Sequence, residues 1–291
     1  MKITTKLISL LLIALAATGL AAFGNDKDEP LPQAEPVNIY PTLPAAHKRV
    51  SSIERTYANG VTAKVDAGYD NAGHLISATM TMDYNRGDLD ESVELFYSRG
   101  ILRHKLGWQT TDYVFKVNSY GAITSLTNTS GRTIASFSYA GRQLQSLSSS
   151  TSSASYSTLV GWKNSDNIHS VVTRTASKRD SVVMNYSAPL DNVALVDVMG
   201  MGRSPFGSLM ELLLRSEGLF GDVSAQLPRT MLYGNSARVD DNGDMVMARC
   251  VLDFTINPDG SISQMRFTAP RNADNEQITT LESYTLNFSY R

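Results

Sequence analysis

The sequence predicts an all-β, mainly antiparallel fold: a curved meander sheet forming a barrel or half-barrel, with one or two short helices covering an opening. Three observations support this prediction. Apolar and polar residues alternate at period two over most of the chain, glycine-containing turns separate the alternating segments, and only one segment has a strong helical pattern. Closing or curling such a sheet removes its exposed edges, which favours the barrel.

The amino terminus has the layout of a secretory signal peptide. Lys2 and Lys6 form a short positive segment, and the run that follows is apolar, small or hydroxyl-bearing as far as Phe23. We therefore assign residues 1–22 to a cleaved signal peptide and predict export to the periplasm, the outer membrane or the cell surface. An uncleaved anchor is the alternative, because a run of this length is at the lower limit for crossing a bilayer.

The junction after this run resembles that of bacterial lipoproteins apart from one residue. Residues 20–22 fit the leucine and two small residues that precede the lipidated cysteine, but Phe23 occupies the position of the cysteine. Without a thiol no lipid can be attached there, so the sequence leaves membrane association undecided. Residues 23–47 are predicted to form a polar, proline-rich tether, and residues 48–291 a single barrel-like domain.

Charge and cysteine content argue against a nucleic-acid-binding protein and against a fold stabilised by disulfides. The formal net charge is −2, and loss of the two signal-peptide lysines, Lys2 and Lys6, lowers it by two further charges to −4. We do not expect an acidic chain of this kind to bind nucleic acid. Cys250 is the only cysteine, so no intramolecular disulfide can form, and the alternating strand around it predicts a buried thiol rather than a reactive one.

Turn residues divide the chain into hairpins. Asn59–Gly60 and Asn242–Gly243 are typical of two-residue type I′ turns, in which both central residues need positive φ. Pro258–Gly260 predicts a third tight turn. Four looser turns share one form, in which a strand end is followed by a glycine-containing turn and then a returning strand: 69–75, 118–123, 128–134 and 139–144. Consecutive hairpins of this kind predict a meander.

Residues 146–157 form a serine-rich segment with few bulky side chains. This composition predicts either an exposed long loop or a polar, solvated strand pair. Either structure would present a surface to an envelope glycan or protein partner.

One helix is predicted within residues 204–218, where several leucines form a broad apolar face and Gly218 ends the pattern. A second helical turn is predicted near Asn192. Such helices would plug or cover one open end of the curved sheet.

Ser204 is a candidate helix cap but not a catalytic nucleophile. It would cap the helix with Pro205 next to it, whereas an alternative start at Ser208 would form a capping box with Glu211. As a nucleophile elbow the segment fails, because Phe206 stands where a small residue is needed and Pro205 has no N–H for an oxyanion hole. The sequence therefore predicts no catalytic residue.

The sequence also predicts no metal site and no cofactor. Asp240, Asn242 and Asp244 have the alternate spacing of a calcium loop. Met245 and Val251, however, replace the glycine and the bidentate glutamate of that loop, so a hairpin turn is the better explanation. No phosphate-binding or dinucleotide-binding motif is present, and the four histidines are too widely spaced for a zinc motif: His47, His74, His104 and His169.

The last strand raises the alternative of a membrane-embedded barrel. In residues 284–290, tyrosine, leucine and phenylalanine alternate with threonine, asparagine and serine, as in the terminal strand of outer-membrane barrels. Several hairpins, however, are polar on both faces, aromatic residues make up only 8% of the chain, and the last residue is Arg291. The sequence therefore favours a barrel outside the bilayer.

The second half of the chain resembles a known family. The positions that carry the resemblance are Trp162, Asn167, Tyr186, Asn192, Gly221, Ser224, Leu227 and Pro228. Their order over residues 155–291 resembles a family of exported bacterial lipoprotein-like proteins of unknown function with a porin-like β fold, mostly from gut-dwelling Gram-negative bacteria. Asp166 replaces the usual turn glycine of that family, and Phe23 replaces its lipidated cysteine.

The resemblance implies export and a porin-like β fold, and it supplies no catalytic residue. We predict that the protein is not an enzyme but a binding or structural module of the cell envelope, holding a lipid-like or hydrophobic ligand inside the barrel. The sequence does not identify the ligand-binding residues. The alternatives are a module that binds a glycan or a protein at its surface, and a hydrolase whose site is not visible in the sequence.

Overall fold

The computed structural model describes residues 39–41, 48–83, 90–150, 155–163, 167–186, 206–269 and 282–291. The predicted signal peptide, most of the tether and the predicted helical turn at Asn192 lie outside these residues, as do Ser204, Pro205 and His47.

Sixteen antiparallel strands form a closed barrel. In chain order they are β1 (Val50–Tyr57), β2 (Thr62–Tyr69), β3 (Leu75–Asp83), β4 (Glu91–Phe96), β5 (Ile101–Leu106), β6 (Gln109–Val117), β7 (Ile123–Asn128), β8 (Thr133–Ala140), β9 (Gln143–Ser150), β10 (Ser155–Lys163), β11 (Asn167–Arg174), β12 (Arg179–Asn185), β13 (Thr230–Val239), β14 (Met245–Ile256), β15 (Ile262–Thr268) and β16 (Tyr284–Tyr290). Each strand pairs with its neighbours in sequence, and β16 closes the sheet on β1, with Phe288 opposite Ile53. The predicted antiparallel meander is confirmed, and the barrel is closed.

The barrel has two ends, which we call end A and end B. The start of β1 and the connections after even-numbered strands lie at end A, and the connections after odd-numbered strands lie at end B. A 3-10 turn, Tyr97–Arg99, follows β4 at end A. Residues 39–41 pack on the same end, where the ring of Tyr40 lies 3.7 Å from that of His74.

Three-residue turns, rather than two-residue turns, join the hairpins at Asn59–Gly60 and Asn242–Gly243. The N–H of Tyr57 donates to the carbonyl of Val61 at 2.8 Å, and Gly60 between them has a φ of +85°. The turn containing Asn242–Gly243 has the same arrangement. The prediction of type I′ turns at Asn59–Gly60 and Asn242–Gly243 is therefore wrong, because a three-residue loop needs positive φ only at its last residue, which is glycine in both turns.

The inner face of the wall is mostly apolar, whereas much of the outer face is charged. On β2, Ala63 and Val65 are buried, while Lys64 and Asp66 are exposed. The buried side chains of the next four strands continue the inner face: Ala78, Met80, Val93, Leu95, Leu102 and Phe115. One outward patch, across β10–β14, is apolar and consists of Leu159, Val172, Val183, Leu232 and Val251. The charged residues on the outer faces of β2, β4, β5 and β6 differ from the apolar outer band of a barrel embedded in lipid.

The one α-helix of the described residues, α1 (Ser208–Ser216), lies inside the barrel. Its residues from Leu209 onwards are all buried, and it contacts β1, β2 and β3. The predicted glycine stop is confirmed, because Gly218 has a φ of +76° and the N–H of Leu219 donates to the carbonyl of Leu214 at 3.1 Å. This hydrogen bond closes a Schellman motif at the end of the helix.

Both predicted starts of the helix are wrong. The N-cap residue is Gly207, which has no side chain to cap with, and Ser208 is the first helical residue. The N–H of Gly207 donates instead to the carboxylate of Glu91 on β4. The helix is therefore capped by Glu91, which is far away in sequence, and not by Ser204 or by Ser208 with Glu211.

Two further predictions can be compared with the strands. The serine-rich segment contributes to β9 and β10, which pair with Ser150 opposite Ser155, so the polar strand pair is correct and the long loop is not. Cys250 lies in β14 with 0% of its surface exposed, which confirms the buried thiol. Val246 on the same strand is exposed, because it lies beside the turn at end B.

Candidate functional site

Aromatic side chains hold the strand ends together at end A. The hydroxyl of Tyr69, at the end of β2, donates to the carbonyl of Val50, at the start of β1, at a distance of 2.6 Å. Four equivalent bonds occur around the described barrel: Tyr97 to Leu75, Tyr139 to Ile123, Trp162 to Leu144 and Tyr186 to Ile168. Burial raises the pKa of the Tyr97 and Tyr139 hydroxyls above the usual range. These hydroxyls therefore stay protonated as donors.

Residues 217–228, which we call the strap, run from the end of α1 across several hairpins at end A. Arg142, in the turn between β8 and β9, donates from Nε to Asp222 at 2.6 Å. Ser224 accepts the N–H of Ile168, at the start of β11, at 3.1 Å. The predicted covering of one opening is therefore found at end A, and the strap rather than the helix provides most of it.

Residues that carried the family resemblance meet in the strap and its contacts. Asn167 and Gln226 exchange two hydrogen bonds of 2.9 and 3.0 Å. The hydroxyls of Tyr186 and Ser224 lie 3.1 Å apart. Gly221 has a φ of +88°, and a Cβ atom there would lie 2.4 Å from a backbone carbonyl oxygen of the wall. Docking of the strap explains these residues without a ligand.

Glu217 fixes the carboxyl-terminal end of α1 to β1. One carboxylate oxygen accepts the N–H of Val50 at 3.2 Å, and the other lies 3.0 Å from Nη1 of Arg49. The carboxylate is buried. Burial, followed by the nearby negative charge of Glu217, raises the pKa of Tyr69 well above its usual range.

Glu91 fixes the amino-terminal end of α1 to β4. Its Oε1 accepts the N–H of Gly207 at 3.0 Å and lies 2.8 Å from Nε2 of His104. Both side chains are buried, and the His104 ring packs edge-on against Phe206, with 5.2 Å between ring centroids. A negative charge at this position also interacts favourably with the helix dipole, whose amino-terminal end is partially positive. Glu91 and His104 thus have a clear structural role.

Four side chains meet at end B, beside the start of α1: Arg55, Tyr57, Ser208 and Tyr284. We call this group the basic recess. Ser208 is exposed and the other three are half-buried. Arg55 is opposite Ala63 on one side and Leu286 on the other, and it therefore shares their inward face.

Arg55 has hydroxyl and aromatic neighbours but no counter-charge among the described residues. Its Nη1 donates to the hydroxyl of Tyr57 at 3.2 Å and to Oγ of Ser208 at 2.8 Å. Its guanidinium carbon lies 4.9 Å from the ring centroid of Tyr284 and 5.8 Å from that of Tyr57. Its Nε is buried and has no hydrogen-bond acceptor in the described part of the chain. Buried polar groups in proteins usually have a hydrogen-bond partner, so this Nε is an exception.

The candidate metal ligands make protein contacts instead. Asp240 accepts the N–H groups of Asn242 and Asp244, each at 2.9 Å, which confirms the hairpin explanation of these residues. His74 lies at end A with its Nδ1 3.0 Å from Asp70, and His169 is exposed on β11. Within the described ranges, no group of three histidine, cysteine, aspartate or glutamate side chains is placed to hold a metal ion.

Sequence reasoning missed the basic recess. The available signal was the alternation of β1, where Ile53, Arg55 and Tyr57 occupy the same phase and Ile53 is fully buried. A charged residue in the apolar phase of a strand indicates a side chain that points into the barrel. Ser208 could not be found in this way, because only the fold brings α1 to β1.

Comparison with known proteins supports the fold. No protein-family model and no curated protein matches the sequence. Among solved structures, the chain is similar to a porin-like protein from Bacteroides uniformis, with 14% identity, 87% of this chain and 100% of that chain covered, and a TM-score of 0.59. This likeness confirms the porin-like β fold. A match to the Photorhabdus luminescens Tc holotoxin pore has 11% identity, covers 77% of this chain and 13% of that one, and its TM-score of 0.25 is too low to indicate a shared fold.

Among the described residues, α1 is too short to be a membrane-spanning helix, and no other helix has the length and apolar composition required.

Proposed function

We propose that the protein is an exported, non-catalytic binding module of the cell envelope, and that its barrel holds a lipid-like or other hydrophobic ligand. The observation that carries this proposal is the polarity of the wall, which is mostly apolar inside and charged over much of its outside. An apolar interior lowers the free energy of an apolar ligand that leaves water.

The size of the inward side chains supports the proposal. A barrel of sixteen strands encloses more volume than its own wall fills when the inward side chains are small. Among the described residues, six inward positions carry alanine: Ala63, Ala67, Ala78, Ala135, Ala248 and Ala269. The helix α1 occupies the part of the interior next to β1, β2 and β3. A ligand would lie beside α1, against the other strands.

The porin-like neighbour is compatible with an envelope location and with a barrel that is not an enzyme. Export itself rests on the predicted signal peptide. Fractionation of producing cells, with the intact mass of the purified chain, tests it. We expect the protein in the envelope or the medium with residues 1–22 removed; a cytoplasmic, uncleaved chain would contradict export.

Native mass spectrometry and solvent extraction of the purified mature protein test the ligand. We expect a copurifying apolar molecule. Ala135→Phe enlarges an inward side chain of β8 and should lower the occupancy of the ligand, whereas Ser136→Phe adds the same ring to the outer face of β8 and should not. Circular dichroism first establishes that both variants fold. A wild-type protein that neither carries nor takes up an apolar molecule would refute the proposal.

A second candidate function is binding of a glycan or a protein at the surface. It is favoured by Trp108, in the turn between β5 and β6, which is 83% exposed. Exposed aromatic rings of this size are typical of binding surfaces. A glycan array and an envelope pull-down with wild type and Trp108→Ala test this candidate, which fails if the two proteins bind the same partners equally or bind none.

A further inference from the structure

We infer that the basic recess binds the anionic head group, carboxylate or phosphate, of an amphiphilic ligand whose apolar chain lies in the barrel. The place of the ligand's apolar chain rests on the proposed function. The place of its head group rests on Arg55 and its neighbours.

Arg55 provides the first argument. A guanidinium group has five N–H donors, and pairs of them match the two oxygens of a carboxylate or a phosphate. Only Nη1 of Arg55 has acceptors among the described residues, and both acceptors are hydroxyl groups. Its Nε is buried without an acceptor, and the described residues provide no carboxylate for it. An anionic ligand would supply both the missing acceptor and the missing charge.

The two hydroxyl groups point to the same chemistry. The Tyr57 and Ser208 hydroxyls each accept a hydrogen bond from Arg55, so each still has its own hydrogen to donate. The recess therefore offers donors from three side chains. A donor-rich site of this kind favours an anion over a neutral or cationic group.

The position of Ser208 adds a backbone contribution. Ser208 is the first residue of α1 and is exposed. The first N–H groups of a helix have no carbonyl acceptor within the helix, and the helix dipole places partial positive charge there. Glu91 takes the N–H of Gly207, but its carboxylate is 1% exposed and also contacts His104. It therefore does not neutralise Arg55.

Aromatic rings extend from Arg55 across the neighbouring strands of the wall at end B. Tyr57 and Tyr284 pack edge to face with 6.3 Å between ring centroids, and Phe267 stacks on Tyr284 at 4.9 Å. Phe267 is buried. A chain attached to an anion at Arg55 would thus meet the rings of the adjacent strands and the apolar side chain of Leu286 opposite Arg55.

Isothermal titration of the delipidated mature chain tests the inference with decanoate, decyl phosphate and decanol, and with acetate and inorganic phosphate as head groups without a chain. We expect decanoate or decyl phosphate to bind about 10-fold more tightly than decanol, because only the anions bring a negative charge to the hydrogen bonds with Arg55. The tighter of the two identifies the head-group class. Arg55→Gln should abolish the difference. Arg103→Gln should keep it, since Arg103 lies on the outer face paired with Asp112.

The outcomes separate the two proposals. If neither decanoate nor decyl phosphate binds the wild type more tightly than decanol does, the anionic recess is overturned and the apolar interior is left standing. This comparison needs no variant. Binding of acetate or phosphate as tightly as decanoate or decyl phosphate would mean that the alkyl chain adds no affinity. That result supports the anion site, but it refutes the apolar-ligand function and overturns the inference of an amphiphilic ligand. Binding of none of the five overturns both.

Discussion

The backbone N–H of Gly207 lies 3.0 Å from Oε1 of Glu91, a residue 116 positions earlier in the chain. Through this bond a wall strand caps a helix that lies inside the barrel. Glycine at the cap allows the close approach, because a Cβ atom there would lie 2.5 Å from the other carboxylate oxygen of Glu91. With Glu217 bonded to β1 at the other end, α1 is held to the wall by a buried carboxylate at each end.

Replacing Glu91 by alanine should destabilise the protein by about 3 kcal/mol, because it leaves a buried histidine and the N–H of Gly207 without their acceptor. Urea unfolding measures the loss. Glu94→Ala is the matched control on the same strand, since the side chain of Glu94 is 52% exposed, and it should cost less than about 1 kcal/mol. Equal losses from the two variants would show that the cap contributes little.

The alternation and turn pattern of the sequence was sufficient to predict the strands, but not to predict the contacts of α1. Period-two alternation and glycine turns depend on neighbouring residues, and they predicted the meander correctly. The cap of α1 depends on Glu91, which no local pattern connects to Gly207. The same holds for the strap, where Asp222 contacts Arg142, and for the closing pair of β1 and β16, which are the two ends of the meander.

The hydrogen bonds from aromatic rings to carbonyls at end A should each contribute measurably to stability. Tyr139→Phe removes only the hydroxyl that donates to Ile123 at 2.7 Å, and it should cost about 1 kcal/mol. Tyr120→Phe is the control, because the side chain of Tyr120 is 41% exposed and its hydroxyl has no acceptor among the described residues. Thermal and urea unfolding compare them. A Tyr139 variant as stable as the Tyr120 variant would argue against this role.

Gly221 should be among the least replaceable residues of the strap. An alanine there would need a positive φ and would also place its Cβ 2.4 Å from the carbonyl oxygen of Arg142. Gly131 has a similar φ of +85° but nothing within 4 Å of the added atom. Gly131→Ala should therefore cost about 1 kcal/mol from the backbone conformation alone, and Gly221→Ala clearly more. Unfolding midpoints measure both, and identical shifts would contradict the close approach.

Asp70 should make the free energy of unfolding depend on pH in the acidic range. Its hydrogen bonds from the backbone N–H and then the ring of His74 hold the pKa of Asp70 below its usual range. A carboxyl whose pKa is lowered by folding stabilises the native state above its unfolded pKa, which is about 3.9. That contribution is lost as the pH falls through the folded pKa.

The difference in unfolding free energy between wild type and Asp70→Asn should therefore shrink as the pH falls below about pH 4. Asp66→Asn, which removes an exposed carboxylate from β2, controls for the general loss of one negative charge. Urea unfolding at a series of pH values provides the comparison. A difference that does not change with pH would mean that Asp70 is not stabilised by His74.

The single thiol should be unreactive until the barrel opens. Cys250 is 0% exposed on the inner face of β14, and burial raises its pKa to about 11. At pH 8 the thiolate, which is the reactive form, is therefore scarce, and reagents cannot reach it. An aromatic disulfide reagent should label none of the native protein within minutes and one thiol per chain in urea. Ser148→Cys adds a thiol at an exposed position on β9 and should label rapidly in the native state. Rapid labelling of native wild type would show that the wall around β14 opens, and that Cys250 is not held in a closed core.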